Sequence, residues 1–402
     1  MPDVYVVSAT RTPFARINGT LSRFLAIELG AAAIHAAVTR SGIPPELPSH
    51  VYMGHALQAG TGQAPAKQAA ICAGLPVTVE ATSINKVCAS GLKAVCLAAQ
   101  EILIGHASAQ IAGGMESMSN VPLYTRKKRM IADCNESTGD EQSDGLLDGL
   151  GNSYDGVLMG GCADQLAARY HIEREDQDEW ALAAYQRAAT AFAKETFREE
   201  IAPVPHQGNG FKQVSADEVK DKAVFQELSR LSPAFSATGT VTAGTSSFLS
   251  DGASAVVLAN ATVARQYCRD AKILAKIISF ADASAPPADF AVAPSKAIQI
   301  ALERAQLTVD QISLWEINEA FALVVMVNEE ILGLDPEKVN VNGGAIAFGH
   351  PLGSSGCRIL VSLLHQLKPG QYGVAAICNG GGGSTAMVVE RLNVESLDSA
   401  TM

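Results

Sequence analysis

Three residues stand where glycines and helix starts give a reactive side chain room to work. Cys88 lies in Asn85-Lys86-Val87-Cys88-Ala89-Ser90-Gly91-Leu92-Lys93. Beyond it Leu92, Val95, Cys96, Ala99, Ile102 and Leu103 keep helical spacing, which places Cys88 at or near a helix N-terminus. Free N–H groups and the helix dipole favour a thiolate there, and small residues at 89–91 leave space for a substrate. A cysteine merely packed at a helix start satisfies the same pattern. His350 lies in Gly349-His350-Pro351-Leu352-Gly353, where Pro351 biases it away from helical geometry. A helix with Leu360, Leu363, Leu364 and Leu367 on one face follows, so His350 is either a working imidazole or a cap for that helix. Cys378 ends the apolar run Val374–Ile377 and precedes Asn379-Gly380-Gly381-Gly382-Gly383, a turn whose N–H groups can point at an anion. The plainer reading is a buried strand end and a flexible turn. A dinucleotide-binding reading of those glycines is weak, since the helix and the acidic residue it needs are missing. Asn318 opens Asn318-Glu319-Ala320-Phe321, where an amide could hold a water, polarise a carbonyl or cap a helix.

The elements that must carry these residues recur. Ala33–Arg40 matches Ala297–Arg304, Met53–Ala56 falls on Ile317–Ala320, Ser90-Gly91 on Ser355-Gly356, and Gln110–Gly113 on Ala375–Cys378, at an offset of about 265 residues. Gly252–Val257 then resembles Gly383–Val388 at an offset of about 131, so the first copy carries an insertion of roughly 134 residues. The apolar runs Val4–Val7, Ile111–Ala112, Val256–Leu258, Val374–Ile377 and Met387–Val389 read as buried strands, and helical patterns separate them. That alternation predicts layered α/β domains with largely parallel central sheets. The insertion is rich in Gly, Asp and Lys, has one good helix around Glu175–Lys194, and reads as a region covering the substrate.

Composition excludes several classes. A chain of 402 residues has room for two or three domains, and 48% hydrophobic with 18% charged residues is a globular balance. No apolar run of about 18 residues predicts a membrane span, so no membrane partner is expected. The start, Met1-Pro2-Asp3-Val4, carries neither a basic, apolar signal nor an Arg-rich transit pattern, which predicts a cytoplasmic protein; a mitochondrial one is the alternative if this is a processed form. A net charge of −11 argues against nucleic acid as a partner. The densest basic run, Arg126-Lys127-Lys128-Arg129, reads as a solvated loop. None of the eight cysteines forms a CxxC pair, and no His spacing completes a metal site.

Together these motifs resemble the thiolase family, and specifically its acetoacetyl-CoA members. The resemblance runs from Val7-Ser8-Ala9-Thr10-Arg11-Thr12-Pro13 through Asn85–Lys93, Gly113–Ser119, Gly239–Gly244, Asn318–Phe321, Gly349–Pro351 and Cys378–Gly382. It implies reversible condensation of two acetyl-CoA to acetoacetyl-CoA and CoA. Cys88 would carry the acyl group as a thioester, and His350 would take its proton. Cys378 would remove an α-proton from the second acetyl-CoA. Asn318, through a water, and His350 would form one oxyanion site, and the N–H groups of Cys88 and Gly380 the other. Met159, Phe235, Ala243, Ser247, Ala320 and Phe321 match positions that contact pantetheine. The chemistry agrees: thiol–thioester exchange is nearly balanced, and the weakly acidic α-proton calls for a second base and a prepared oxyanion site.

The family fold is two similar βαβαβαββ domains forming a layered α-β-α-β-α core, with a loop domain inserted in the first. Here that predicts a first domain of 1–119 plus 250–272, a loop domain of 120–249 over the CoA site, and a second domain of 273–402. The resemblance also implies a homodimer or homotetramer and no metal or redox cofactor, CoA being substrate and product. Some relatives use potassium through a loop-domain Tyr; none lies between His206 and Phe235, so no potassium site is expected. Three departures bear on CoA. Leu158 replaces a common His, Thr245 replaces Asn, and Phe248 places a bulky ring beside the expected pantetheine tunnel. The alternatives are a long-chain 3-ketoacyl-CoA thiolase, a ketoacyl synthase or HMG-CoA synthase, and a non-catalytic acyl-CoA binder; Cys378 and the intact set argue against the last two kinds.

Overall fold

Alternation along each strand builds the core from both faces of one sheet. The computed structural model describes residues 3–126, 141–205, 213–219, 225, 227–268 and 275–393. Its main strands are β1 Val4–Arg11, β2 His50–Gly54, β3 Glu80–Ile84, β4 Ala109–Ser117, β5 Ser250–Asn260, β6 Ala275–Ser284, β7 Ile312–Ile317, β8 Tyr372–Asn379 and β9 Gly383–Arg391. The helices that matter for the site are α1 Ala26–Ser41, α2 Pro65–Cys72, α3 Ser90–Leu103, α4 Gly145–Leu150, α5 Met159–Arg169, α6 Arg174–Ala193, α7 Ala293–Ala305, α8 Ala322–Leu332 and α9 Leu352–Gln366.

The strand order is β7-β8-β9-β6-β1-β5-β4-β2-β3. Its two halves meet at β1 and β6, paired only through Tyr5↔Lys276 and Val6↔Ala275. Outward from that seam, β1, β5, β4 and β2 on one side answer β6, β9, β8 and β7 on the other, the order of the sequence repeat. Even the register shifts recur, at Val6/Ser8 and at Ile277/Ser279. Val4 and Val6, with Val256 and Leu258, face α3 and α9 in the middle, as do Ala375, Ile377, Met387 and Val389 from the other half. Their neighbours Tyr5, Val7, Ala255 and Val257 pack outward on α1 and α2. Val374, Ala376, Ala386 and Val388 pack outward on α7 and α8. The period of two thus makes five layers, α-β-α-β-α.

The sheets are not largely parallel. Only β2–β3, β2–β4 and β7–β8 run parallel; β1–β5, β4–β5, β6–β9 and β8–β9 are antiparallel. The physical reason is visible at Gly381 and Gly382, both at φ +83, which reverse the chain from β8 straight into β9. A strand reached by a tight turn must pair antiparallel. β2, β3, β6 and β7 lie outside the apolar runs read from the sequence; β3, an edge strand, is nowhere fully buried and carries Glu80, Thr82 and Ser83.

The insertion holds α4, α5 and α6. Trp180 and Ala181 of α6 join the outer core, while Cys162, Ala163 and Leu166 of α5 dock on Phe290, Phe321 and Leu323. Among the described residues no helix is long and apolar enough to cross a membrane.

The starts of α3 and α9 meet at backbone distance. A Cβ at Gly91 would lie 2.8 Å from the Gly353 carbonyl oxygen, and one at Gly114 only 1.9 Å from it. Gly114→Ala should therefore force backbone apart and lose about 1–3 kcal/mol, as overpacked cores do. A thermal denaturation midpoint unchanged in that variant would show that the contact is soft.

Candidate active site

The turn carrying Cys88 is bent against its own preference. Val87 sits at φ +50, a left-handed conformation that costs a β-branched residue about 1–3 kcal/mol. Its neighbours hold it there. Val87 N–H donates to Asn85 Oδ1 (3.0 Å) and Lys86 N–H to Ser90 Oγ (2.8 Å), while the Ser90 hydroxyl donates to Val87 O (2.6 Å). Lys86 Nζ reaches into the other half, to Asp282, Ser384 O (2.9 Å) and Thr385 Oγ1 (2.9 Å). Helix α3 begins at Ser90, two residues past Cys88.

The amides of Cys88 and Gly380 donate toward the Cys88 sulfur, but burial outweighs them and pushes the thiol up to about 12. The resting thiolate expected at this helix start is therefore corrected to a neutral thiol, because desolvation exceeds what two N–H groups return. Cys378, at the end of β8, is raised too, by burial first and then by Cys88 beside it.

His350 is fixed at three points. Its N–H donates to Phe248 O (3.1 Å) and Ser250 Oγ (3.0 Å), and Nδ1 lies 2.6 Å from Ser355 Oγ. Gly349 before it is at φ +94, and a Cβ there would strike Ser250. Among the described residues Nε2 has no partner. Burial, with the charge of Arg358 second, pulls the ring down to about 3, so it rests neutral and able to accept a proton.

A cavity of about 860 Å³ gathers Cys88, His350, Cys378 and Gly380 on one wall surface with Met159, Phe235, Ala243, Ser247, Ala320 and Phe321. Asn318 is not on that wall. It is fully buried at the end of β7, its N–H donates to Ala376 O (3.0 Å), and among the described residues both side-chain polar atoms lack a partner. Its alternative as a helix N-cap falls away, since α8 starts at Ala322 with Phe321 as the cap residue. The Ser247 hydroxyl donates to Ala320 O (3.1 Å), joining two lining residues. A Cβ on Gly160 would lie only 2.2 Å from the Phe235 ring, and Phe235 meets Phe321 edge-on at 6.0 Å.

The departures resolve separately. Leu158 and Phe248 line the cavity, Leu158 with 40% of its surface exposed. Phe248 also presents the carbonyl that holds His350. Thr245 is buried off the wall, its Oγ1 accepting from Thr242 N–H (2.9 Å). Of the basic run, 127–129 lie outside the described residues, as do Cys134, residues 206–212 and most of 220–226.

Sequence reading missed Glu116. Fully buried, it accepts from Ala56 N–H (3.0 Å), Leu57 N–H (3.2 Å) and Gly353 N–H (2.9 Å), and lies 3.2 Å from His55 Nε2. It ties a cavity loop to the first turn of α9. The available signal was a carboxylate directly after the apolar run Ile111–Met115. A half-buried thiol at Cys88, a buried one at Cys378, a neutral imidazole and converging N–H donors make an arrangement suited to acyl transfer.

Comparison with known proteins follows the same line. The family model described as thiolase, N-terminal domain, matches residues 4–262, and that of the thiolase C-terminal domain matches 271–391. An Aspergillus fumigatus protein named acetyl-CoA acetyltransferase erg10A, mitochondrial, is 52% identical over 97% of this chain and 90% of its own. A Gibberella zeae protein named mitochondrial acetyl-CoA acetyltransferase is 52% identical over 98% and 91%. The crystal structure of the Acat5 thiolase from Ascaris suum in complex with coenzyme A matches with a TM-score of 0.90 and 38% identity, over 97% of this chain and 100% of that one. The cytoplasmic expectation does not stand: both fungal relatives are named mitochondrial, which points to mitochondria. Composition and the first residues carried no compartment signal strong enough to decide this.

Because burial disfavours the charged thiol, the thiolate fraction of Cys88 at neutral pH falls below that of a free cysteine, whose pKa is about 8.5. Without substrate, iodoacetamide labelling of Cys88, followed by peptide mass spectrometry, should keep rising beyond about pH 10. A plateau below about pH 8 would mean that the N–H donors overcome desolvation.

Proposed function

The chain belongs to the thiolase family, and we propose that its Cys88–Cys378 thiol pair performs the condensation of two acetyl-CoA to acetoacetyl-CoA and CoA. It is an acyltransferase, an acetyl-CoA C-acetyltransferase, as its relatives are. What carries the residue assignment is that Cys88, Cys378 and a neutral His350 share one cavity wall.

In the first half-reaction Cys88 sulfur attacks the thioester carbonyl while His350 Nε2 takes its proton. The tetrahedral oxyanion is held by the N–H groups of Cys88 and Gly380. The CoA sulfur leaves with the proton from His350, and the acetyl group remains on Cys88. In the second, His350, free again, takes the Cys378 proton, and the resulting thiolate removes an α-proton from a second acetyl-CoA. A thiol raised by burial yields a thiolate of matching basicity for so weak a carbon acid. The enolate oxygen lies with His350 and, through water, the buried Asn318 amide. The enolate carbon attacks the acetyl carbonyl, the new carbon–carbon bond forms, the Cys88–acyl bond breaks, and the Cys88 sulfur leaves with the proton from His350, which returns all three groups to neutral. Met159, Phe235, Ala243, Ser247, Ala320 and Phe321 line the path of the pantetheine.

This reading uses no metal or redox group. The chain divides on it into 1–119 with 250–272, a covering insertion of 120–249, and 273–402. A homodimer or homotetramer is supported by the edge strand β3, which among the described elements pairs only with β2 and leaves backbone groups for a second copy.

The test is CoA-dependent cleavage of acetoacetyl-CoA, with 3-ketohexadecanoyl-CoA as the comparison. Rapid cleavage of the four-carbon substrate alone is expected. Cys88→Ala should abolish acyl-enzyme. Cys378→Ala should still acylate but lose condensation by a factor on the order of 10²–10⁴. Full activity in either variant would reject its role.

A further inference from the structure

We infer that Ser355 sets the tautomer of His350, keeping the ring proton on Nδ1 so that Nε2 is the free lone pair. The inference rests on the role given to His350 above and concerns a positioning residue, since Ser355 is not on the cavity wall.

The argument is a count of protons. The Ser355 hydroxyl, fully buried in the first turn of α9, has one hydrogen and two candidate acceptors, Pro351 O at 2.9 Å and His350 Nδ1 at 2.6 Å. If the hydrogen goes to Pro351 O, Oγ accepts from Nδ1–H and Nε2 is unprotonated. If it goes to Nδ1, the neutral ring carries its proton on Nε2 and has no lone pair left for the Cys88 thiol.

The duplicated half of the fold decides between them. Ser90 is the repeat counterpart of Ser355 and stands at the start of α3 as Ser355 stands near the start of α9. Its oxygen takes the Lys86 N–H, a group that can only donate, so its hydrogen must go to Val87 O. Both serines therefore back-bond to a carbonyl of the preceding turn and accept from the loop that presents a reactive side chain. In one half that loop carries Cys88, in the other His350.

The reaction imposes the same direction. When His350 takes the thiol proton, both ring nitrogens become donors. A Ser355 already bonded to Pro351 O accepts from Nδ1 before and after, with no rotation inside a packed core. A Ser355 donating to Nδ1 would have to turn around at each proton transfer. Among the described residues no other group is bonded to either ring nitrogen.

The experiment is ¹⁵N NMR of enzyme labelled at histidine, with His350 assigned by the signals lost in His350→Asn. At pH 7–8 the native enzyme should show a protonated Nδ1 and an unprotonated Nε2; the reverse pattern overturns the inference. Ser355→Ala should shift the ring toward the other tautomer and lower kcat for acetoacetyl-CoA cleavage by about 10–100-fold, with KM for CoA within about twofold. Ser355→Thr, which keeps the hydroxyl, should recover kcat to within about threefold of native. Ser355→Ala with native tautomer and native kcat would also overturn it. The NMR readout does not depend on turnover. A failure of the condensation reading, seen as no cleavage by native enzyme, is thus separable from a failure of this one.

Discussion

The site depends on one steric fact: two helix starts touch through backbone. Gly353 stands where any side chain would strike Met115 O, His55 Cα and Gly54 O, and its own carbonyl fills the space beside Gly91 and Gly114. Only glycine allows this approach. From that crossing hang Cys88, two residues before α3, and His350, two residues before α9. Glu116 reinforces it by accepting the Gly353 N–H together with two amides of the cavity loop. The distance between nucleophile and base is thus set by main chain, which has no rotamers to lose.

Burial then sets the electrostatics. It makes both thiols weaker acids and the imidazole a weaker base, so every group rests neutral. A resting ion pair would be costly in such a site. In the proposed reaction proton transfer is instead coupled to bond formation, and the N–H donors of Cys88 and Gly380, already turned toward the Cys88 sulfur, are oriented before charge appears. Fixed dipoles in a low-dielectric pocket stabilise an oxyanion without reorganising. The same desolvation that suppresses the thiolate therefore strengthens the donors that receive the oxyanion.

What the sequence reveals follows from range. Cys88, His350 and Cys378 are legible because glycines and a helical stripe surround each of them locally. The repeat and the insertion are legible because order is preserved across the chain. The mixed sheet is not, because direction depends on how a strand is reached; only the tight turn at Gly381 and Gly382 makes β9 antiparallel to β8. Glu116 and Ser355 are hidden for another reason. Glu116 acts on Gly353, 237 positions away, and Ser355 acts through a hydroxyl whose direction no residue pattern encodes. The neutral resting state of Cys88 is hidden as well, since a helix start argues for a thiolate until burial is known.

Duplication explains why the two halves can divide the labour. Equivalent turns before α3 and α9 hold different reactive groups, a thiol and an imidazole, on the same serine-anchored frame. Equivalent strand ends diverge too. After β2, His55 pairs with Glu116; after β7, Asn318 keeps an unpartnered amide while Glu319 accepts from Asn340 Nδ2 (3.0 Å) and Ile346 N–H (3.1 Å). An exact two-fold would present the same group twice. The insertion breaks the symmetry further, because its α5 docks on Phe290 and Phe321 of the second half. One symmetric scaffold thereby suits the asymmetric reaction proposed for it, in which one half carries the acyl group and the other supplies the groups that move protons.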